Sequence, residues 1–165
     1  MSRSARETSY VDYVTARREH LRRVAYALCG DWHRADDLLQ TALVKLYVAW
    51  PRVRRTGSED AYVRRILVRA SIDESRRPWR RERPTDTLPD RPAAEPTSPE
   101  DRSELFAALQ ALPPQQRATV VLRHWLGLSV ADTAAELGIS EGTVKSHTSR
   151  GLAALRGTLE PSETG

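Results

Sequence analysis

Cysteine is almost absent from this 165-residue chain. The single Cys29 cannot close an internal disulfide or build a cysteine-based metal cage, which fits a reducing, cytoplasmic setting. No apolar run approaches the ~20 residues of a membrane span, so a transmembrane helix is excluded. The opening MSRSARETSY has no apolar core behind its basic residues, which argues against a secretory signal. Eight Gly and ten Pro are too few for a collagen-like or wholly disordered chain. Catalytic patterns are missing as well. His20, His33, His124 and His147 are scattered without HExxH spacing, and neither a phosphate loop ending in Gly-Lys-Ser/Thr nor a dinucleotide fingerprint occurs. His33 shares a helical face with Asp36 and Asp37, but one imidazole beside two carboxylates at a helix start reads as capping and dipole stabilisation rather than a metal site. The expectation is a soluble protein that is not an enzyme and needs neither cofactor nor metal.

What the chain does have is basic charge, unevenly spread. Residues 1–77 carry 16 Lys/Arg against 10 Asp/Glu, whereas 78–102 and 103–165 are each net −1. A basic half points to a polyanion as partner. Six of the ten prolines fall between Pro78 and Pro99, where apolar residues nearly vanish. Such a stretch cannot bury enough surface to fold, so 78–102 is expected to be a flexible linker between two helical modules.

In the first module Tyr10, Tyr13, Val14, Leu21, Val24, Ala25 and Leu28 recur at helical steps. Gly30 permits a stop and Asp31 can cap a second helix bearing Ala35, Leu38, Leu39, Ala42, Leu43, Leu46 and Tyr47. Pro51 is expected to end that helix, leaving Arg52–Gly57 as a short basic loop. Ser58, Glu59 and Asp60 then open a third helix with Tyr62, Val63, Ile66 and Leu67 among arginines. Cys29 reads as a small core residue rather than a redox switch.

In the second module Leu105, Leu109 and Leu112 mark a helix closed by Pro113 and Pro114. Another is expected from about Gln115 to Leu126, with Val120, Val121 and Trp125 inward and Gly127 at its end. SVADTAAELG (129–138) then has Val130, Thr133, Ala134 and Leu137 on one face and Ser129 as its cap. Gly138 supplies a left-handed turn, Ile139 plugs the angle, and Ser140 caps EGTVKSHTSRGLAALR (141–156). Small polar and basic residues front that last helix, and Gly142–Arg156 holds three Arg/Lys and no acid. Such a face suits a major groove. The fold expected is all-α, with a helical bundle followed by a helix-turn-helix.

The ISEGTVKSH core is similar to the DNA-binding domain of response regulators as well as to sigma factors, and the rest of the chain separates the two. LPPQQRATVVLRHWLGLS (112–129) leading into GTVKS resembles region four of the sigma-70 family, in its extracytoplasmic-function (ECF) group. DDLLQTALVKLYVAW (36–50) resembles the core-binding helix of region two, and AYVRRILVRASID (61–73) with Arg76 and Arg77 the helix that reads the upstream edge of the melted promoter. The resemblance implies a region-two-like domain at 1–77 and a region-four-like domain at 103–165. It implies a factor that binds core RNA polymerase through the β′ clamp helices and the β flap, recognises promoter DNA and promotes initiation, with room for an anti-sigma factor and no membrane role. Asp37, Gln40, Leu43, Val44 and Tyr47 would meet the polymerase. Arg52, Arg54, Arg55, Gly57, Tyr62, Arg65 and Arg69 would meet the minus-ten element, with Arg69 standing where many relatives have Asn. Thr143, Lys145, Ser146, His147, Ser149 and Arg150 would meet the minus-thirty-five element, with His147 standing where Arg is common.

Overall fold

A computed structural model of the chain describes residues 2–75 and 104–159; the expected linker lies outside the described residues. Every regular element among the described residues is helical. The chain divides into two compact units, Met1–Ala70 and Ser71–Gly165, with the division falling inside the third helix.

The first unit is built on a long antiparallel pair, α1 (Arg3–Cys29) and α2 (Trp32–Thr56), followed by α3 (Glu59–Ser75). Gly30 adopts φ 74° and its N–H donates to the Tyr26 carbonyl, ending α1. Asp31 caps α2, its carboxylate accepting from the N–H groups of His33 and Arg34. At the turn, Tyr26 stacks on Trp32 at 4.0 Å and Arg22 lies 4.3 Å from the Trp32 centroid. Arg22 Nε also donates to Asp36 at 2.7 Å, which commits one of the two carboxylates beside His33 to the hairpin. Leu21, Val24 and Leu28 of α1 are buried, as are Leu38, Leu39, Leu46, Trp50 and Val53 of α2 and Val63, Leu67 and Val68 of α3. Cys29, expected in the core, is only half-buried, and its thiol donates to the Asp31 carbonyl.

Pro51 does not end α2. The helix runs on to Thr56, so Arg52–Thr56 is helical and only Gly57 leaves it, at φ 66°. Proline normally breaks a helix because it removes the N–H that the carbonyl four residues back requires. Here that carbonyl, of Tyr47, accepts from the Arg6 guanidinium instead. Burial of Trp50 and Val53 on either side holds the helix through the proline.

Asp60, in the first turn of α3, ties that helix to α1. It accepts from the Tyr13 hydroxyl and from Arg17, whose Nη2 approaches to 2.8 Å. Burial alone would raise the carboxyl's pKa, but the Tyr13 and Arg17 bonds outweigh it and hold it below the ordinary value. The same burial and the carboxylate push the Tyr13 hydroxyl far above the usual tyrosine range. An acid depressed in the folded state stabilises the fold above its unfolded pKa of about 3.9 and loses that contribution as pH falls through the folded value. Asp60→Asn should therefore flatten the acid limb of stability below about pH 4. Urea midpoints between pH 2 and 6 measure it, and an acid limb as steep as in the wild type would remove Asp60 from the linkage.

In the second unit α4 (Glu104–Gln110) leads to α5 (Pro114–Val120), which continues into a π-helical turn at Val121–Trp125; α6 (Val130–Leu137) and α7 (Glu141–Leu159) follow. Arg117 reaches back to donate to the carbonyls of Leu109, Gln110 and Leu112, each at 3.0 Å, so one guanidinium satisfies the end of α4 where Pro113 and Pro114 cannot donate. Ala108, Leu109, Leu112, Val120 and Leu155 form the core, with Phe106 and Leu152 packed against it. Gly151 is the point of closest approach: a Cβ there would come within 2.7 Å of Val120 Cγ2. Trp125 is not inward as expected. It is 43% exposed, edge-on to Phe106, because the π turn adds a residue and rotates it off the buried side.

Candidate nucleic-acid interface

The helix-turn-helix forms as its sequence predicts. Ser129 Oγ accepts from the Asp132 N–H at 3.0 Å and opens α6. Gly138 takes φ 68°, and both its N–H and that of Ile139 donate to the Ala134 carbonyl. That pair of hydrogen bonds is what lets α7 start three residues later in a new direction. Ser140 Oγ accepts from the Thr143 N–H at 3.1 Å and pairs with the Thr143 hydroxyl at 2.8 Å. Val144 and Leu155 are buried, with Thr148 and Leu152 half-buried, so the inner face of α7 is as expected.

The opposite face carries Gly142, Lys145, Ser146, Ser149 and Arg150, all exposed. Lys145 and Ser149, like Ser146 and Arg150, are one helical turn apart and point the same way. Thr143 is half-buried and already part of the cap. His147 is half-buried, and its Nδ1 is enclosed without a hydrogen-bond partner among the described residues, which leaves Nε2 as the nitrogen for an outside partner.

In the first unit the predicted basic group sits on a helix end rather than a loop. Arg52, Arg54 and Arg55 project from the last turns of α2, where cations are favoured by the helix dipole. Arg54 is partly committed, 3.7 Å from Glu59 and 5.9 Å from the Trp50 centroid. Arg52 and Arg55 are exposed, as are Arg65 and Arg69 on α3, and none of these four forms an ion pair among the described residues. Of the acids in the first turn of α3, Glu59 lies 3.7 Å from Arg54 and Asp60 2.8 Å from Arg17. Gly57 follows the basic turn in a left-handed conformation that a side chain would strain. Tyr62 is half-buried, its hydroxyl 3.4 Å from the Lys45 carbonyl.

The predicted polymerase-binding residues divide. Asp37, Gln40 and Val44 are exposed along one stripe of α2. Leu43 and Tyr47 are half-buried: the Leu43 carbonyl accepts from the Tyr10 hydroxyl at 2.7 Å, and Tyr47 packs edge-on against Tyr10 beneath Arg6. Sequence reasoning missed Val48, which is 73% exposed one turn beyond Val44 at 59%. The signal was available, since 37, 41, 44 and 48 continue a single helical stripe.

Fold and surface together define a two-domain, helix-turn-helix DNA-binding protein. The model described as Sigma-70 region 2 matches residues 13–81, and that described as Sigma-70, region 4 matches residues 102–155. The chain is 43% identical to the RNA polymerase sigma-E factor of Streptomyces avermitilis, over 92% of this chain and 85% of that one. It is 37% identical to the ECF RNA polymerase sigma factor SigM of Mycobacterium tuberculosis, over 90% and 77%. Its fold matches the sigma factor RpoE solved in complex with the anti-sigma factor NepR from Bartonella quintana, with TM-score 0.72 and 23% identity, over 94% of this chain and 99% of that one. The chain belongs to the ECF group of the sigma-70 family. It is a sigma factor that binds core RNA polymerase, recognises promoter DNA and promotes transcription initiation.

Proposed function

We propose a division of labour between the two domains, 1–77 and 103–165, with 78–102 as the tether that lets both promoter elements be engaged on one polymerase. The stripe Asp37, Gln40 and Val44, extended by Val48 and flanked by Leu43 and Tyr47, docks on the β′ clamp helices, and the second domain reaches the β flap. The exposed Arg52, Arg55, Arg65 and Arg69, with Arg54, Gly57 and Tyr62, receive the minus-ten strand as it separates: the arginines draw in phosphates and Gly57 leaves room for a nucleotide. Lys145, Ser146, His147, Ser149 and Arg150 lie in the major groove of the minus-thirty-five element, with Thr143 at the helix start beside a phosphate. The observation that carries this reading is the exposed face of α7, free of acids from Gly142 to Arg156, standing on a capped helix-turn-helix.

The chain catalyses nothing itself; nucleotide addition is the polymerase's chemistry, and the factor works in the cytoplasm where the polymerase is. No helix among the described residues is long and apolar enough to cross a membrane. An anti-sigma protein is a further partner in this reading, by analogy with RpoE, which was solved in complex with the anti-sigma factor NepR.

Lys145→Ala should weaken binding to the minus-thirty-five element by about 1–3 kcal/mol and relax specificity there. Fluorescence anisotropy of the reconstituted holoenzyme on the wild-type promoter and on base-substituted versions reads both effects. Unchanged affinity and unchanged preference would take Lys145 out of the reading set.

A further inference from the structure

We infer that Arg6, near the start of the chain, is a positioning residue for promoter opening, because it supplies the hydrogen-bond donor that Pro51 removes from α2. Pro51 has no N–H, so the Tyr47 carbonyl lacks its helical donor. The Arg6 guanidinium, forty-one residues away in sequence, donates to that carbonyl through Nη2, and the same nitrogen lies 3.5 Å from the carbonyl of Val48. A charged donor makes a stronger bond than the amide it replaces. The guanidinium is itself held in place. It lies 4.8 Å from the Tyr47 ring centroid, while Ser9 Oγ accepts from Trp50 Nε1 at 2.8 Å and donates to the Arg6 carbonyl at 3.1 Å. The first turns of α1 therefore brace the turn of α2 that leads into the proline. Past the brace stand Arg52, Arg54 and Arg55, whose direction depends on α2 staying helical to Thr56. Without Arg6, the orphaned carbonyl would turn toward water and the helix would kink or stop at Pro51, swinging the three arginines away from the separating strand.

The inference rests on the reading that this end of α2 meets the minus-ten strand, and the experiment separates the two. Holoenzyme is reconstituted from core polymerase saturated with the full chain, on the promoter giving the strongest wild-type start site. Melting is read by permanganate reactivity of unpaired thymines, and helix integrity by amide hydrogen exchange of residues 52–56 in the free chain. Arg6→Ala is expected to speed that exchange about tenfold and to lower the melted fraction several-fold. Adding Pro51→Ala to Arg6→Ala should restore both, since Ala supplies the missing N–H, and this combination is testable even where Arg6→Ala alone folds poorly. Wild-type exchange and melting in Arg6→Ala, or a double variant as defective as the single one, would overturn the inference. Arg52→Ala with Arg55→Ala is the companion arm. If that variant melts the promoter normally, the reading of the α2 end falls, while the exchange data still decide whether Arg6 holds the helix. If it fails to melt while Arg6→Ala melts normally, only the inference falls.

Discussion

Trp50→Ala should unfold the first unit or leave it barely folded at ordinary temperature. Trp50 is fully buried, packs edge-on to Tyr10 at 5.5 Å and tilted against Tyr13 at 5.6 Å, and donates its Nε1–H to Ser9. Removing a large buried aromatic costs about 3–5 kcal/mol, and each lost aromatic pair adds about 0.5–1.5. A unit of this size has roughly 4–10 kcal/mol in total, so most of its stability would go. Trp50→Phe keeps the apolar bulk and one ring edge but loses the Ser9 bond, and should cost only about 1–2 kcal/mol. Thermal melts followed by circular dichroism distinguish the two. A Trp50→Ala melt within a few degrees of wild type would mean that the core of the first unit lies elsewhere.

Val44→Glu combined with Val48→Glu should lower affinity for core polymerase at least ~100-fold while leaving the fold intact. Two large apolar side chains, one turn apart and largely in water, are what an interface centre would bury, and a carboxylate buried there without a partner costs more than the lost apolar area. In the free chain the same changes sit on a solvated stripe, where substitutions usually shift stability by about 0.5 kcal/mol or less. The new carboxylate at position 48 would face Arg52 one turn on, which offsets the like-charge pair between the two introduced acids. Titration of labelled core with the variant gives the affinity, and a parallel urea melt checks the fold. Wild-type affinity in a folded double variant would exclude this stripe as the docking surface.

Local chemistry was the legible part of the chain. Asp31, Ser129 and Ser140 cap where the sequence places them, and Gly30, Gly57, Gly127 and Gly138 all take left-handed conformations. These are interactions across three or four residues, so the sequence carries them directly. Two misreadings share a different cause. Pro51 looked like a terminator because its rescue comes from Arg6 on another helix, and a pairing forty-one residues distant leaves no trace in local pattern. Trp125 looked inward because a 3.6-residue period was carried through a segment where the N–H of Leu126 reaches back five residues to Val121. The candidate site divides in the same way. The face of α7 followed from periodicity alone, whereas the parting of Val44 from Leu43 and Tyr47 depends on which side of α2 the tyrosines of α1 cover.

Run-off transcription on genomic fragments, with core RNA polymerase alone and with this chain added, tests the central claim most directly. Discrete start sites should appear only with the chain, each preceded by a shared pair of elements at the minus-ten and minus-thirty-five positions. DNA binding by the chain alone, with no association with core and no new transcripts, would contradict it and leave a helix-turn-helix regulator in its place.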